Sequence, residues 1–131
     1  MAIVTGGGSG FGAGIVRKFV AEGAQVLVAD LNLDAALDVA AGVGPAARAL
    51  RVDVSVAADV RTLMEAAELH FGRLDILVNN AGINIRKNIE EMDAESFDAM
   101  MAVNIKGPFL GVKHVLPVLR AGGGGTILNM S

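Results

Sequence analysis

The 131-residue chain has no cysteine, tryptophan or tyrosine, only three prolines and two histidines, and five phenylalanines as its only Phe, Trp or Tyr residues. Without cysteine there is neither a disulfide nor a thiolate nucleophile or ligand. His70 and His114 stand far apart without carboxylate companions at ligand spacing, so no metal site is expected and both are read as surface or helix-end residues. No uncharged apolar run approaches the roughly 20 residues that a membrane span needs. Apolar residues nonetheless make up 53% of the chain and mean hydropathy is +0.52, an excess expected to face protein. The 14 acidic and 11 basic residues are interspersed, leaving no basic stripe for nucleic acid and no polybasic cluster for a membrane surface. The opening residues carry no basic leader or apolar signal core, so a cytoplasmic setting is expected.

The length suits one domain with one core, and no linker, repeat or low-complexity block divides it. Short β-branched runs alternate with segments of helical periodicity, the pattern of βαβ units on a parallel sheet. Strands are predicted near Ile3 to Thr5, Val26 to Ala29, Ala49 to Val52, Ile76 to Val78 and Thr126 to Asn129. Between them, a first helix presents Ile15, Val16, Phe19 and Val20, and a second presents Leu33, Leu37, Ala40 and Ala41 before stopping at Gly42-Val43-Gly44-Pro45. A third buries Val56, Val60, Leu63, Met64, Ala67 and Phe71, with Ser55 placed to cap it. A long helical region runs from about Asp93 to Arg120, followed by a flexible connection over Gly122 to Gly125. Right-handed crossovers then dictate an α/β, doubly wound parallel sheet of order 3-2-1-4-5.

Residues 5 to 12 read Thr5-Gly6-Gly7-Gly8-Ser9-Gly10-Phe11-Gly12, directly between the first strand and the first helix. A strand that turns through glycines into a helix aims backbone N–H groups and the positive helix end at one point, where a pyrophosphate can sit. A Cβ at Gly6, Gly10 or Gly12 would hold the phosphates or the crossing strand away. Only Gly8, Gly10 and Ala13 match the general G-x-G-x-x-G/A dinucleotide fingerprint. Asp30 closes the second strand 20 positions beyond Gly10, where that fingerprint expects an acid that accepts from the ribose hydroxyls. Its charge would repel a 2′-phosphate, and neither Ser9 nor Leu31 offers the cation an NADP site requires, so NAD is the expected cofactor. Asp30 is also placed to begin the turn before the second helix, a task Asn32 suits equally.

The spacing Thr5-Gly6, Gly10, Gly12 resembles the T-G-x-x-x-G-x-G motif of the short-chain dehydrogenase/reductase family, and Asn79-Asn80-Ala81-Gly82 resembles its N-N-A-G motif. The resemblance implies a Rossmann-like fold with cofactor contacts from Gly6, Ser9, Gly10, Phe11 and Gly12 in the loop, and from Asp30 and Leu31 after the second strand. It implies adenine contacts from Asp53 and Val54, Asp53 being otherwise a solvated strand-end carboxylate, and ribose contacts from Asn80, Ala81, Gly82 and Val103. Asn79 is assigned a structural duty. Asn104 resembles the family's catalytic asparagine. In an α-helix its carbonyl would accept from residue 108, which is Pro108 and has no N–H; a free buried carbonyl wants a water, and in the family such a water belongs to the proton relay serving the catalytic lysine. Gly107-Pro108 also reads as a simple helix boundary. Lys106 and Lys113 are expected to be solvated.

The family's hydride chemistry uses a serine, a tyrosine and a lysine four residues after the tyrosine. This chain has no tyrosine, and Ser131 falls where the first of two small residues precedes the family's serine. The resemblance therefore implies an NAD(H)-dependent oxidoreductase for a small secondary alcohol or ketone, with these residues as an incomplete cofactor-binding domain lacking the C-terminal strands. A homo-oligomer, dimer or tetramer, is implied too, through Ile105, Phe109, Val112, Leu116 and Leu119. The alternative from another class is a self-contained nucleotide-binding or interaction module without hydride transfer.

Overall fold

Alternation along the apolar runs decides the architecture, because successive side chains of a strand serve opposite faces of the sheet. The computed structural model describes all residues, 1–131. Strands β1 (Ala2–Thr5), β2 (Val26–Asp30), β3 (Ala47–Arg51), β4 (Ile76–Asn79) and β5 (Thr126–Asn129) form one parallel sheet in the order β3-β2-β1-β4-β5. Helices α1 (Gly10–Ala21), α2 (Leu33–Val43), α3 (Ala57–Phe71), α4 (Ala94–Met101) and α5 (Gly107–Ala121) cover it, with a 3-10 turn at Ile89–Glu91 and a π-helical segment at Ala102–Lys106. Ile3, Leu27 and Leu77 face α3 and α5, where they pack with Leu63, Met64, Val115 and Leu119. Val4, Val28 and Val78 face the other way, onto Ala13 and Val16 of α1 and Ala36 and Val39 of α2. The sheet is thus a middle layer, and β1 lies where the winding reverses direction. In such sheets the crevice for ligands opens at the carboxyl ends of the strands beside that reversal.

Five local expectations change. Strand β3 begins at Ala47 rather than Ala49 because its register with β2 starts at the pair Val26 and Ala47. Helix α2 continues to Val43 and buries Ala36, Val39 and Ala40, leaving Leu33 and Leu37 exposed. Both residue sets satisfy helical periodicity, and the small side chains win because they allow α2 to lie close on β2. Ser55 does not cap α3, whose N-cap is Val56 without a side-chain bond. The Ser55 hydroxyl donates instead to Asp53 Oδ1 at 2.6 Å, closing a local turn in which the Val56 N–H donates to the Asp53 carbonyl. Such local side-chain bonding competes with capping. The glycines after α5 form a bonded turn rather than a loose connection, the Gly124 N–H donating to the Leu119 carbonyl at 2.7 Å. Leu119 itself is only 4% exposed and belongs to the core, whereas Ile105 and Phe109 are 63% and 60% exposed.

No helix is long and apolar enough to cross a membrane. Helix α5 meets β4 most closely at Gly111, where an added Cβ would stand 2.4 Å from Asn79 Oδ1. Asn79 is buried and its Nδ2 donates to Asn129 Oδ1 at 2.8 Å, tying the ends of β4 and β5 together. We expect Gly111→Ala to lower stability by about 1–3 kcal/mol through overpacking, seen as a lower urea midpoint with the same slope.

Candidate functional site

The turn between β1 and α1 is shaped by contact on every side. Gly6 has φ +63° and Gly10 φ +50°, conformations that a side chain would strain. The Gly7 N–H donates to the Ala29 carbonyl, seating the turn on the end of β2. The first bond of α1 runs from the Ala13 N–H to the Ser9 carbonyl, and the first turn holds no acidic residue. The N–H groups of Gly10, Phe11 and Gly12 therefore have no acceptor within the helix, and the helix dipole adds positive potential there. A Cβ on Gly10 would meet no protein atom within 4 Å. The turn is a cradle for an anion.

Gly12 turns only its backbone toward the cradle, because its Cα side faces the scaffold. It is buried, outside the cleft, and a Cβ there would stand 2.0 Å from the Gly6 carbonyl oxygen and 2.6 Å from Asn80 Nδ2. The missing Cβ lets α1 approach the turn. Asn80 also has more structural work than expected: its Nδ2 donates to the carbonyls of Thr5 at 3.0 Å and Gly6 at 3.2 Å. The Thr5 hydroxyl completes the join, accepting from the N–H groups of Asn80 and Ala81 and donating to the Val78 carbonyl. Strand pattern and motif place Thr5 at the end of β1, but the role of its hydroxyl depends on β4 lying beside β1.

Above this join lies a cleft of about 360 Å³. Every residue expected to contact a cofactor lines it except Gly12: Gly6, Ser9, Gly10 and Phe11 from the turn and the start of α1, Asp30 and Leu31 at the end of β2, Asp53 and Val54 after β3, and Asn80, Ala81, Gly82 and Val103 opposite. Val52 and Ile83 also line it and were not singled out; neither carries a polar side chain to signal a role. Asp30 accepts at both oxygens, from the Gly8 N–H at 2.9 Å and the Asn32 N–H at 3.0 Å. Asn32 caps α2, its side chain accepting from the Ala35 N–H, while the Asp30 carboxylate both closes the turn before that cap and lines the cleft. The Asp53 N–H donates to Asp59 Oδ2, whereas the Val54 N–H donates to no protein group. The Ser55 hydroxyl holds the Asp53 carboxyl below its ordinary range, outweighing partial burial, with smaller help from the Ser55 N–H, Arg51 and Lys106.

Asn104 lies in the π-helical segment, where such irregularities concentrate at functional sites. The Gly107 N–H donates to the Ala102 carbonyl, five residues back, and Pro108 has no N–H. The donors that an α-helix would supply to the carbonyls of Val103 and Asn104 are both withdrawn. The Asn104 side chain makes a two-way bond with Ile83: its Oδ1 accepts from the Ile83 N–H and its Nδ2 donates to the Ile83 carbonyl, each at 2.8 Å. A second cavity of about 920 Å³ adjoins the first and shares Phe11 and Asn80 to Ile83 with it, adding Asn84, Asn104, Ile105, Met130 and Ser131, so the residue after β5 and Asn104 line the same space. Phe11 is 85% exposed between the two. His114 is half-buried in the middle of α5 rather than at a helix end, and burial, Arg61 and Lys113 push its pKa down. Lys106 and Lys113 are exposed.

The family model described as short chain dehydrogenase matches residues 1–131. The chain is 39% identical over 132 residues to galactitol 2-dehydrogenase of Agrobacterium fabrum, covering all of this chain and 52% of that protein. It is 39% identical over 131 residues to sorbitol dehydrogenase of Cereibacter sphaeroides, covering 99% of this chain and 51% of that one. Among solved structures, the 3-ketoacyl-(acyl-carrier-protein) reductase of Brucella melitensis, complexed with NADH, superposes with a TM-score of 0.94 at 41% identity over 98% of this chain and 55% of that one. The chain spans about half the length of the curated relatives it matches.

The Ser55 to Asp53 bond gives a titratable reporter of the cleft wall. We expect Ser55→Ala to raise the Asp53 pKa toward the ordinary carboxylate range, followed by NMR titration of the side-chain carboxyl. Because the folded value is depressed, the associated stability is present above the ordinary carboxylate pKa and is lost as pH falls through the folded value. The variant should therefore lose less stability than the native chain on acidification.

Proposed function

Since the chain belongs to the short-chain dehydrogenase family, we propose that it forms the NAD(H)-binding part of an oxidoreductase that moves a hydride between the nicotinamide and a secondary alcohol or ketone. The observation that carries this reading is the carboxylate of Asp30, held on the wall of a cleft by the turn that forms the adjoining anion cradle. The N–H groups at the start of α1 suit a pyrophosphate, and Gly10 leaves the space beside them empty. Asp30 would take the adenosine ribose hydroxyls, and Asp53 with the free Val54 N–H would take the adenine. Asn80 holds the loop that lines the far side of the cleft, and Asn104 fixes Ile83 at the entrance to the second cavity. The carbonyls withdrawn from the α pattern at Val103 and Asn104 are placed to hold a water for proton transfer. NAD(H), when bound, supplies the hydride acceptor or donor. The relatives named for galactitol and sorbitol support an alcohol as substrate.

Removing the carboxylate should open the site to a 2′-phosphate and lose the ribose bonds. We expect Asp30→Ala to reduce the ratio of kcat/KM with NAD to that with NADP by about 10- to 100-fold, the size of a lost hydrogen bond to a charged group. Comparable efficiency with both cofactors in the native protein would defeat the assignment.

A homo-oligomer is part of the same proposal. Phe97, Met101, Ile105 and Phe109 recur every fourth residue and are all exposed, forming an apolar stripe along α4, the π segment and α5, of the kind that marks a protein interface. We expect light scattering to give a multiple of the chain mass for the native protein and a smaller species for Phe109→Lys. A native monomer across a concentration series would overturn the interface.

A further inference from the structure

In the loop after β4, Ile83, Asn84 and Ile85 place an amide between two isoleucines, and the backbone on both sides of that amide is held. Asn104 Nδ2 donates to the Ile83 carbonyl at 2.8 Å, which fixes the peptide unit before Asn84. The Ile85 N–H donates to Met100 Sδ at 3.4 Å, which fixes the unit after it. With both planar units placed, the side chain is what Asn84 has left to move. That side chain is exposed and bonds to no protein group. Asn84 lines the second cavity but not the cleft beside it, so it meets the part of a substrate that extends beyond the carbon exchanging the hydride.

Asn84 is also the wall that this cavity shares with a groove of about 500 Å³ formed by Ile85, Arg86, Lys87, Asn88 and Glu91. The lining of the groove separates classes of substrate. Ile85 is its only apolar residue, so an apolar chain would gain little there. Lys87 is paired with Asp93, and Arg86, which forms no ion pair, shares the groove with Glu91, so no net positive field draws an anion. The amides and charged groups together offer both donors and acceptors. We infer that Asn84 is a specificity-determining residue that selects an uncharged, hydroxyl-rich substrate, its amide taking a hydroxyl beyond the reacting carbinol by donating from Nδ2 and accepting at Oδ1. This assignment rests on the proposed reading of a secondary alcohol or ketone as substrate. A substrate without that hydroxyl would displace water from the amide and return no bond, which is the source of the discrimination.

Steady-state kinetics on the full-length protein with saturating NAD test the assignment. D-threitol and sorbitol serve as hydroxyl-rich probes, cyclohexanol as a probe with a single hydroxyl and gluconate as an anionic one. The native protein should oxidise one or both polyols with a higher kcat/KM than cyclohexanol or gluconate. Asn84→Ala should lower kcat/KM for that polyol by about tenfold, the size of a lost hydrogen bond. The loss should fall mainly on KM, while cyclohexanol turnover and Kd for NAD stay within about twofold. Asn84→Leu, which keeps the bulk of the amide, should give the same split and so separates lost bonding from lost contact. Because the Asn84 side chain is exposed and unbonded, both variants should keep the native Tm. Equal losses on polyol and cyclohexanol, or a loss explained by weaker NAD binding, would mean that Asn84 only shapes the loop and would overturn the inference. A native preference for cyclohexanol or gluconate would overturn it too, and in each of these cases the proposed oxidoreductase stands. No NADH formation from any probe would overturn both the inference and the alcohol substrate on which it rests.

Discussion

The join between the ends of β1 and β4 is the constraint on which the rest of the site depends. Thr5 and Asn80 are 75 residues apart in sequence, yet the Thr5 hydroxyl accepts from the Asn80 N–H at 3.1 Å and Asn80 Nδ2 returns a bond to the Thr5 carbonyl. No side chain fits between the layers that meet here: a Cβ on Gly6 would lie 2.8 Å from Ala81 Cα. With both strand ends satisfied, the chain can leave each strand without stranding buried polar groups, whose cost without partners would be about 1–3 kcal/mol each. The direction of α1 and the aim of its free N–H groups follow from that closed contact.

A second fixed point lies on the helical region. Asn104 grips both backbone groups of Ile83, so the loop after β4 is held by β1 at Asn80 and by the π segment at Ile83. The π register and Pro108 together deny the carbonyls of Val103 and Asn104 the donors that a regular α-helix would give them. An irregularity in an otherwise well-formed helix is costly locally, and it persists where the surrounding packing determines it. Here Gly107 packs against Val54, linking the start of α5 to the cleft wall. The cleft and the cavity beside it thereby share one partition, with the exposed Phe11 ring on its edge.

Strand order was legible because periodicity and chain handedness leave few topologies for alternating strands and helices. The glycine turn and Asp30 were legible from local spacing, whereas Asp53, Val54, Asn80 to Gly82 and Val103 were marked by the family resemblance. The errors arose where two local patterns were equally good or where a neighbour distant in sequence decided. In α2, periodicity alone did not choose between Leu33 with Leu37 and Ala36 with Val39. Ser55 had the right chemistry for a cap, but a carboxylate two residues back took its hydroxyl. Gly12 reads as part of the glycine turn, and the reason it lacks a Cβ includes Asn80, from the far half of the chain, as well as the Gly6 carbonyl.

The sequence by itself determined the parallel α/β class, the strand order, the turn able to hold an anion and the carboxylate at the end of β2. These rest on local backbone preference and on spacing along the chain. Only the tertiary structure decided which glycines make room for backbone and which for a functional group, and which polar side chains are tied to the scaffold. Those distinctions depend on what approaches from another strand or helix: Gly8 is confined by Asp30 and Ala35, Gly12 by Gly6 and Asn80, and Thr5 is bonded across to β4. Close packing turns such approaches into requirements, because at these separations even one methyl group has nowhere to go.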